Sequence, residues 1–364
     1  MKIKHICIYT YQLPLNRILN INNRVIESRQ GIIIRLTDEQ GNEGMGEIAP
    51  LPGLHQESYA DTLNQIKMIS HKLKDMDQIG VKGLFNSIGQ IEGIRYWYPS
   101  VRFGIESAIV NLVMISKQDS SHLVSNEPLR NQITVNALVE GNPGTLLNMV
   151  SQKLTENFKC IKLKVGRDAI GKDIDLVKSV DKIIKNKATL RLDANRAWDI
   201  KTTINFINAI KDCHIEYIEE PLKNPSHLSD LEKQADIPLA LDESITDTSF
   251  DFDKSDLRIK ALVIKPTLIG SLGKTFQLLN YAKKTGLTAV ISDTYSSGIG
   301  LSFLVWLASF VDKDTPMGFD TYPCLSSDIL LEKHSMIDAK IEVNKSINRA
   351  RRLNWSMLIE YFII

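Results

Sequence analysis

From about residue 130 the chain repeats one pattern, a short run of apolar, mostly β-branched residues followed by a longer segment with apolar residues three and four apart. The short runs are ITVNALV, CIKLKVG, TLRLDAN, IEYIEEP, IPLALDES, ALVIKPT, TAVISDT and PMGFDT. Between them lie segments such as DIDLVKSVDKIIKNK and KTTINFINAIKDC. Strands that alternate with helices form βαβ crossovers and a parallel sheet, and eight such units close into a (β/α) barrel. PMGFDT is barely a strand, so the eighth unit is weak.

The chain ahead of the repeat reads differently. IKHICIYTYQLPL and RQGIIIRLTDEQGNEGMGEIAPL look like antiparallel strands turning at DEQGNEG, and residues 57–75 and 100–117 look helical. An α+β capping domain is therefore expected over residues 1–128 and the barrel over 129–324. The tail, 325–364, lacks the barrel rhythm and is expected to pack back on the first unit. LSFLVWLASFV falls short of the ~18 apolar residues a membrane span requires and reads as a buried helix.

Other features bound the function. A formal net charge of +1 gives no electrostatic case for nucleic acid or an anionic membrane, which leaves a small-molecule substrate as the expected partner. Cys7, Cys160, Cys213 and Cys324 are scattered without metal-like spacing, as expected of reduced core thiols. MKIKHICIYTYQLP lacks the apolar stretch of a secretory signal, so the expected location is cytoplasmic. Monomer and dimer both remain open.

Active sites of such barrels gather where the strands end. The polar residues at those ends are Lys162 and Lys164, then Asp193, Glu219, Asp242, Lys265 and Ser292. From Lys164 onward they are 29, 26, 23, 23 and 27 residues apart, close to one βα unit each, so they are expected to face one mouth. Three acids converging there would repel one another and raise each other's pKa unless an oxygen-seeking divalent cation sits between them, which suits Mg²⁺. The flanking lysines, Lys164 and Lys265, suit proton abstraction beside a carboxylate, with the charge of the resulting enediolate stabilised. Taken singly, each of these residues has a plainer reading: Asp242 as a helix cap, Lys162 as a solvated lysine, Asn195 and Arg196 as loop formers. The shared register is what favours a site.

KLK, LDAN, EEP, DES and VIKP, in this order, resemble the muconate lactonizing enzyme-like branch of the enolase superfamily. Within it the resemblance is to the o-succinylbenzoate synthase family. GEIAPLPGLHQES and SVRFGIESAI look like that family's capping domain, and LRLDANRAW, VIKPTLIGSLGK and GLTAVISDTYSSGIGL extend the likeness over nearly the whole chain. The resemblance implies a modified (β/α)7β TIM barrel with a cap built from both termini. It implies Asp193, Glu219 and Asp242 as ligands of Mg²⁺, with Mn²⁺ as a substitute. It also implies Lys164 as the base, Lys162 as its electrostatic aid and Lys265 as the charged lysine opposite. Arg191, Ser292 and Gly318 match positions that support or contact substrate, and Asn195 is placed with them.

The implied reaction is the syn-dehydration of 2-succinyl-6-hydroxy-2,4-cyclohexadiene-1-carboxylate to 2-succinylbenzoate, a lyase step in menaquinone or phylloquinone biosynthesis. Residues 15–30 match poorly and are expected to form a variable cap loop, where Arg24 or Arg29 is a candidate partner for the succinyl carboxylate. Tyr295 stands where the family often has a glutamate. The competing readings are an N-acylamino acid racemase or dipeptide epimerase using both lysines as bases, and an inactive barrel acting as a scaffold. A dipeptide epimerase would carry an aspartate on its eighth strand to grip an amino group, and Asp320 in GFDTYP stands there.

Overall fold

A computed structural model of the chain describes residues 2–74, 88–117, 129–141, 143–247, 258–311 and 314–364. The expected boundary at 128 lies outside the described residues. Three strands, β1 (Ile3–Ile21), β2 (Arg24–Asp38) and β3 (Glu43–Ile48), form an antiparallel sheet, and β13 (Ile359–Ile363) joins its edge by pairing with β1. Helices α1 (Tyr59–Lys74) and α2 (Pro99–Lys117) accompany the sheet. Glycine lets α2 approach β3 closely, because a Cβ on Gly46 would lie 1.9 Å from the Gly104 carbonyl oxygen.

Residues 15–30, expected as a loop, are instead a hairpin. Leu19 pairs with Ile26, Asn20 with Val25 and Ile21 with Arg24. The turn residues Asn22 and Asn23 have φ of 45° and 63°, the left-handed pair that a two-residue hairpin turn needs and that asparagine tolerates. The period-two signal was obscured because Arg17 interrupts the apolar row and the register shifts between Pro14 and Leu19.

The second sheet holds seven consecutive parallel strands: β5 (Ala137–Val139), β6 (Cys160–Lys164), β7 (Thr189–Asp193), β8 (Ile215–Glu219), β9 (Leu239–Leu241), β10 (Ile259–Ile264) and β11 (Thr288–Ile291). ITVNALV divides in two, and its first part, β4 (Gln132–Thr134), pairs with β12 (Lys340–Glu342). The eighth position of the barrel is two residues long. Met317 N donates to Thr134 O (2.8 Å) and Asn136 N to Met317 O (2.9 Å), while Gly318 N donates to Ile291 O (2.9 Å) and Asp293 N to Gly318 O (2.9 Å). These bonds close the ring with the α/β TIM-barrel architecture the repeat implied. Tyr217, Ala240, Ala261, Val263 and Val290 fill its interior below the mouth. LSFLVWLASFV lies mostly in α9 (Gly298–Ala308), whose residues are all buried. No helix among the described residues is long and apolar enough to cross a membrane. All four cysteines are free, but Cys213 and Cys324 are only partly buried.

Glu47 joins the cap to the barrel. It accepts from Tyr11 Oη and from Ser297 N (2.9 Å) at the start of α9, where Gly300 leaves it room. Burial pushes this carboxyl from its usual 4.5 to about 7. The folded state thus holds a proton that the unfolded chain releases above about pH 4.5. The associated stability is complete below pH 4.5, falls as pH rises towards 7, and is on the order of 3 kcal/mol. Glu47→Gln is expected to flatten this part of the stability–pH curve, measured by denaturant unfolding from pH 4.5 to 8. An unchanged slope would refute the assignment.

Candidate active site

In parallel strands, paired residues point the same way and alternate residues share a face. The register pairs Lys164 with Asp193 and Asp193 with Glu219, so these three stand level at the ends of adjacent strands. Asp242 follows β9, and Lys265 follows β10 at the head of the short helix α7 (Pro266–Ile269). One layer down the order is Lys162, Arg191 and Tyr217.

The acids face ammonium groups. Lys162 Nζ lies 2.9 Å from Asp193 Oδ2 and hydrogen-bonds Glu219 Oε1 at 2.8 Å. It also lies 2.7 Å from Glu219 Oε2, but the angle makes no hydrogen bond, and that buried oxygen has no donor. Lys164 Nζ lies 3.3 Å from Asp193 Oδ2 and donates to Asn195 Oδ1 at 2.6 Å. Lys265 is ion-paired with Asp242. Burial opposes the charge on Lys162, but Asp193 and Glu219 outweigh it and hold the ammonium protonated. Asp193 is held well below the usual carboxylate range because Lys162, Lys164 and Lys265 outweigh its burial. Glu219 is pushed up, first by burial and then by Asp193.

This donor set fits a hard divalent cation. Asp193, Glu219 and Asp242 offer oxygen only, all three are buried, and Oε2 of Glu219, 2.7 Å from the Lys162 ammonium, accepts no hydrogen bond. Among the described residues, no three His, Cys, Asp or Glu side chains are already drawn into a metal cage. The carboxylates are turned onto lysines, and a cation binding there competes with those ion pairs.

The second acid of EEP has a separate role. Glu220, with φ of 40°, accepts from Asp242 N (2.9 Å), Ser244 N (2.8 Å), Ser244 Oγ (2.8 Å) and Arg196 Nε (3.1 Å). It fixes the backbone that carries Asp242. Neighbouring Glu243 is partly buried, and its carboxyl is raised to about 7 by desolvation and by Asp242.

The other candidates divide. Asn195 touches Lys164 directly. Ser292 and Gly318 face each other across the barrel's closing bridge, where a Cβ on Gly318 would lie 2.6 Å from Ser292 Oγ. Arg191 lies beneath the mouth, stacked over Tyr217 at 5.2 Å, and donates to Glu216 (2.9 Å) and Pro316 O (2.8 Å), a supporting place. Arg24 is exposed at the turn, while buried Arg29 donates to the carbonyls of Ala49 (2.7 Å), Pro50 (3.0 Å) and Tyr295 (3.1 Å). Asp320 is engaged by Leu138 N and Lys153 Nζ, each at 2.9 Å.

Two groups were missed. Glu140, directly after β5, accepts from Arg17 and Arg167, each at 2.8 Å, and could have been found by the strand-end rule that found the others. The cap supplies Leu54, His55, Glu57 and Tyr98 to a cavity of about 400 Å³ that Asp242, Glu243 and Lys265 also line. No periodic signal marks those four.

The chain has known relatives. Residues 146–346 match the family described as Enolase C-terminal domain-like, and residues 3–112 match MenC, N-terminal domain. The o-succinylbenzoate synthase of Haemophilus influenzae is 30% identical over 335 residues, covering 89% of this chain and 91% of that protein. The o-succinylbenzoate synthase of Vibrio cholerae is 32% identical over 331 residues, covering 87% and 89%. Protein PHYLLO, chloroplastic, of Arabidopsis thaliana is 30% identical over 350 residues, but the chain spans only 20% of its length. Among solved structures, an enolase superfamily member from Listeria innocua gives a TM-score of 0.84 at 21% identity, covering 100% of this chain and 98% of that one. A dipeptide epimerase from Enterococcus faecalis, complexed with Mg and a dipeptide, gives 0.82 at 23%, covering 94% and 97%. At such identities these structures speak for the fold alone. The matches over both halves, and relatives aligned along most of their own length, make the chain a member of the o-succinylbenzoate synthase family of the enolase superfamily.

Proposed function

We propose that this chain dehydrates 2-succinyl-6-hydroxy-2,4-cyclohexadiene-1-carboxylate to 2-succinylbenzoate in the cytoplasm, using Mg²⁺ held by Asp193, Glu219 and Asp242. The observation that carries the proposal is the pair of lysines, Lys164 and Lys265, ion-paired at either side of three buried carboxylates.

Lys164 takes the proton α to the ring carboxylate. Asn195 and Asp193 hold its Nζ in place. Electron density moves into the carboxylate and gives an enediolate dianion. Lys265 stays protonated on the other side and offsets part of that charge. Asp193, Glu219 and Asp242 would hold Mg²⁺, which when bound would add positive charge that favours the enediolate. Density then returns to the ring, the carbon–oxygen bond breaks, and Lys164 returns its proton to the departing hydroxide, which leaves as water. One residue acts as base and then acid on one face, and the ring becomes aromatic. Lys162 neutralises Asp193 and Glu219 from below.

A dipeptide epimerase is less well supported, because both oxygens of Asp320 already serve Leu138 and Lys153. Purified protein with Mg²⁺ and the cyclohexadiene is expected to form aromatic product, followed by ultraviolet absorbance, and EDTA is expected to stop it. Mg²⁺ at a hundred times its Kd is expected to stabilise the fold by about 2.7 kcal/mol, raising the melting midpoint by a few degrees. Stabilisation without turnover would reject the substrate and leave the metal site standing. Amino-acid racemisation would then be sought as α-proton exchange in D₂O.

A further inference from the structure

The cap hairpin carries one cation on an apolar row. Leu15, Leu19 and Ile21 of β1 pack with Leu51, Tyr295 and Cys324, and Arg17 lies between them. A guanidinium in such a row requires a partner. Arg17 finds Glu140 at the C-terminal end of β5, Nη2 to Oε1, 2.8 Å.

Glu140 serves a second arginine as well. Arg167, in the loop after β6, places Nη2 2.8 Å from Oε2, and Tyr295 Oη lies 3.4 Å from Oε1. The Glu140 side chain is only 10% exposed, whereas those of Arg17 and Arg167 are 35% and 48% exposed. Burial works against ionisation of Glu140, but Lys164, Arg167 and Arg17 together hold the carboxyl low. Two guanidiniums thus share one carboxylate, which leaves one unit of positive charge beside the base. Each gives Glu140 a single terminal nitrogen, and a guanidinium has five N–H donors. An ordinary cap-to-barrel tie needs one arginine. A second, half-exposed one beside it makes a place for another anion.

The proposed substrate has such an anion to place. Its ring carboxylate belongs between Lys164 and Lys265, and its second carboxylate ends a flexible succinyl arm. We infer that Arg17, assisted by Arg167, binds the succinyl carboxylate, with Glu140 as the positioning residue that holds both guanidiniums at the mouth. This rests on the dehydratase reading above. Cap and barrel then meet through the substrate's own charge, so an analogue without that charge loses the contact.

The test compares Arg17→Ala, Arg17→Lys and Arg167→Ala with the wild type. The readouts are steady-state turnover and competitive inhibition by 2-succinylbenzoate and by its ester at the succinyl carboxyl. A charge-assisted contact predicts that Arg17→Ala raises KM at least tenfold, with a smaller change in kcat. Arg17→Lys should recover part of the loss. Wild-type protein should bind the diacid at least tenfold more tightly than the ester, and Arg17→Ala should bind the two about equally. Undiminished preference for the diacid in Arg17→Ala would overturn the inference while leaving the dehydratase reading intact. No wild-type turnover would overturn both.

Discussion

Lys164→Ala is expected to lower turnover by on the order of 10³–10⁴ and to leave the fold intact, since the proposed mechanism gives both proton transfers to this one residue. The side chain of Lys164 is partly exposed and is not the principal partner of any buried acid, because Lys162 stands closer to Asp193, at 2.9 Å against 3.3 Å. Its removal therefore leaves Asp193 neutralised. The same substitution at Lys162 should behave differently. Lys162 is almost fully buried between Asp193 and Glu219, so its loss takes from Glu219 its ion-pair partner and leaves Asp193 with Lys164 alone. Breaking such a buried group by removing one partner costs about 3–5 kcal/mol. The pair is distinguished by measuring kcat and the urea midpoint of both variants. Lys164→Ala should move the first alone and Lys162→Ala both. If Lys164→Ala kept a tenth of wild-type turnover, it could not be the base.

What could be read ahead of the structure followed from periodicity. A residue every 23–29 positions at a strand end must face the barrel mouth, so Lys164, Asp193, Glu219, Asp242 and Lys265 were recognisable before any contact was known. Period two along IEYIEE likewise separates Glu219, on the inward face, from Glu220. What Glu220 does was hidden, because its partners, Asp242, Ser244 and Arg196, come from neighbouring loops that only the closed barrel brings together. The hairpin at 15–30 was hidden for a different reason. Its turn is Asn-Asn rather than Asn-Gly, and Arg17 breaks the apolar alternation. Arg17 stands there to meet Glu140, more than a hundred residues away. The weak eighth strand was legible as weak, yet how two residues could close a barrel depends on Gly318 fitting against Ser292.

Glu220→Ala is expected to destabilise the protein by on the order of 4 kcal/mol and to weaken Mg²⁺ binding, although Glu220 touches no substrate. Its carboxylate satisfies the backbone N–H groups of Asp242 and Ser244, and it pairs with Arg196. Each buried donor left without an acceptor costs about 1–3 kcal/mol, and the guanidinium loses its counter-charge. Asp242 then sits on a backbone with one anchor fewer, and the carboxylate it presents to a cation is less well placed. The backbone supplies an internal control. At φ of 40°, any side chain bearing a Cβ is strained, by roughly 1–2 kcal/mol, and glycine is not. Glu220→Gly should therefore be less destabilising than Glu220→Ala, by about that amount, while losing Mg²⁺ affinity to a similar degree. An ordinary helix or strand position would show the reverse order, since glycine there costs more than alanine. Urea unfolding of both variants, with Mg²⁺ titrations followed by calorimetry, decides the matter. If alanine proved the milder change, or if Mg²⁺ bound both variants as tightly as wild type, Glu220 would not be the residue that positions Asp242.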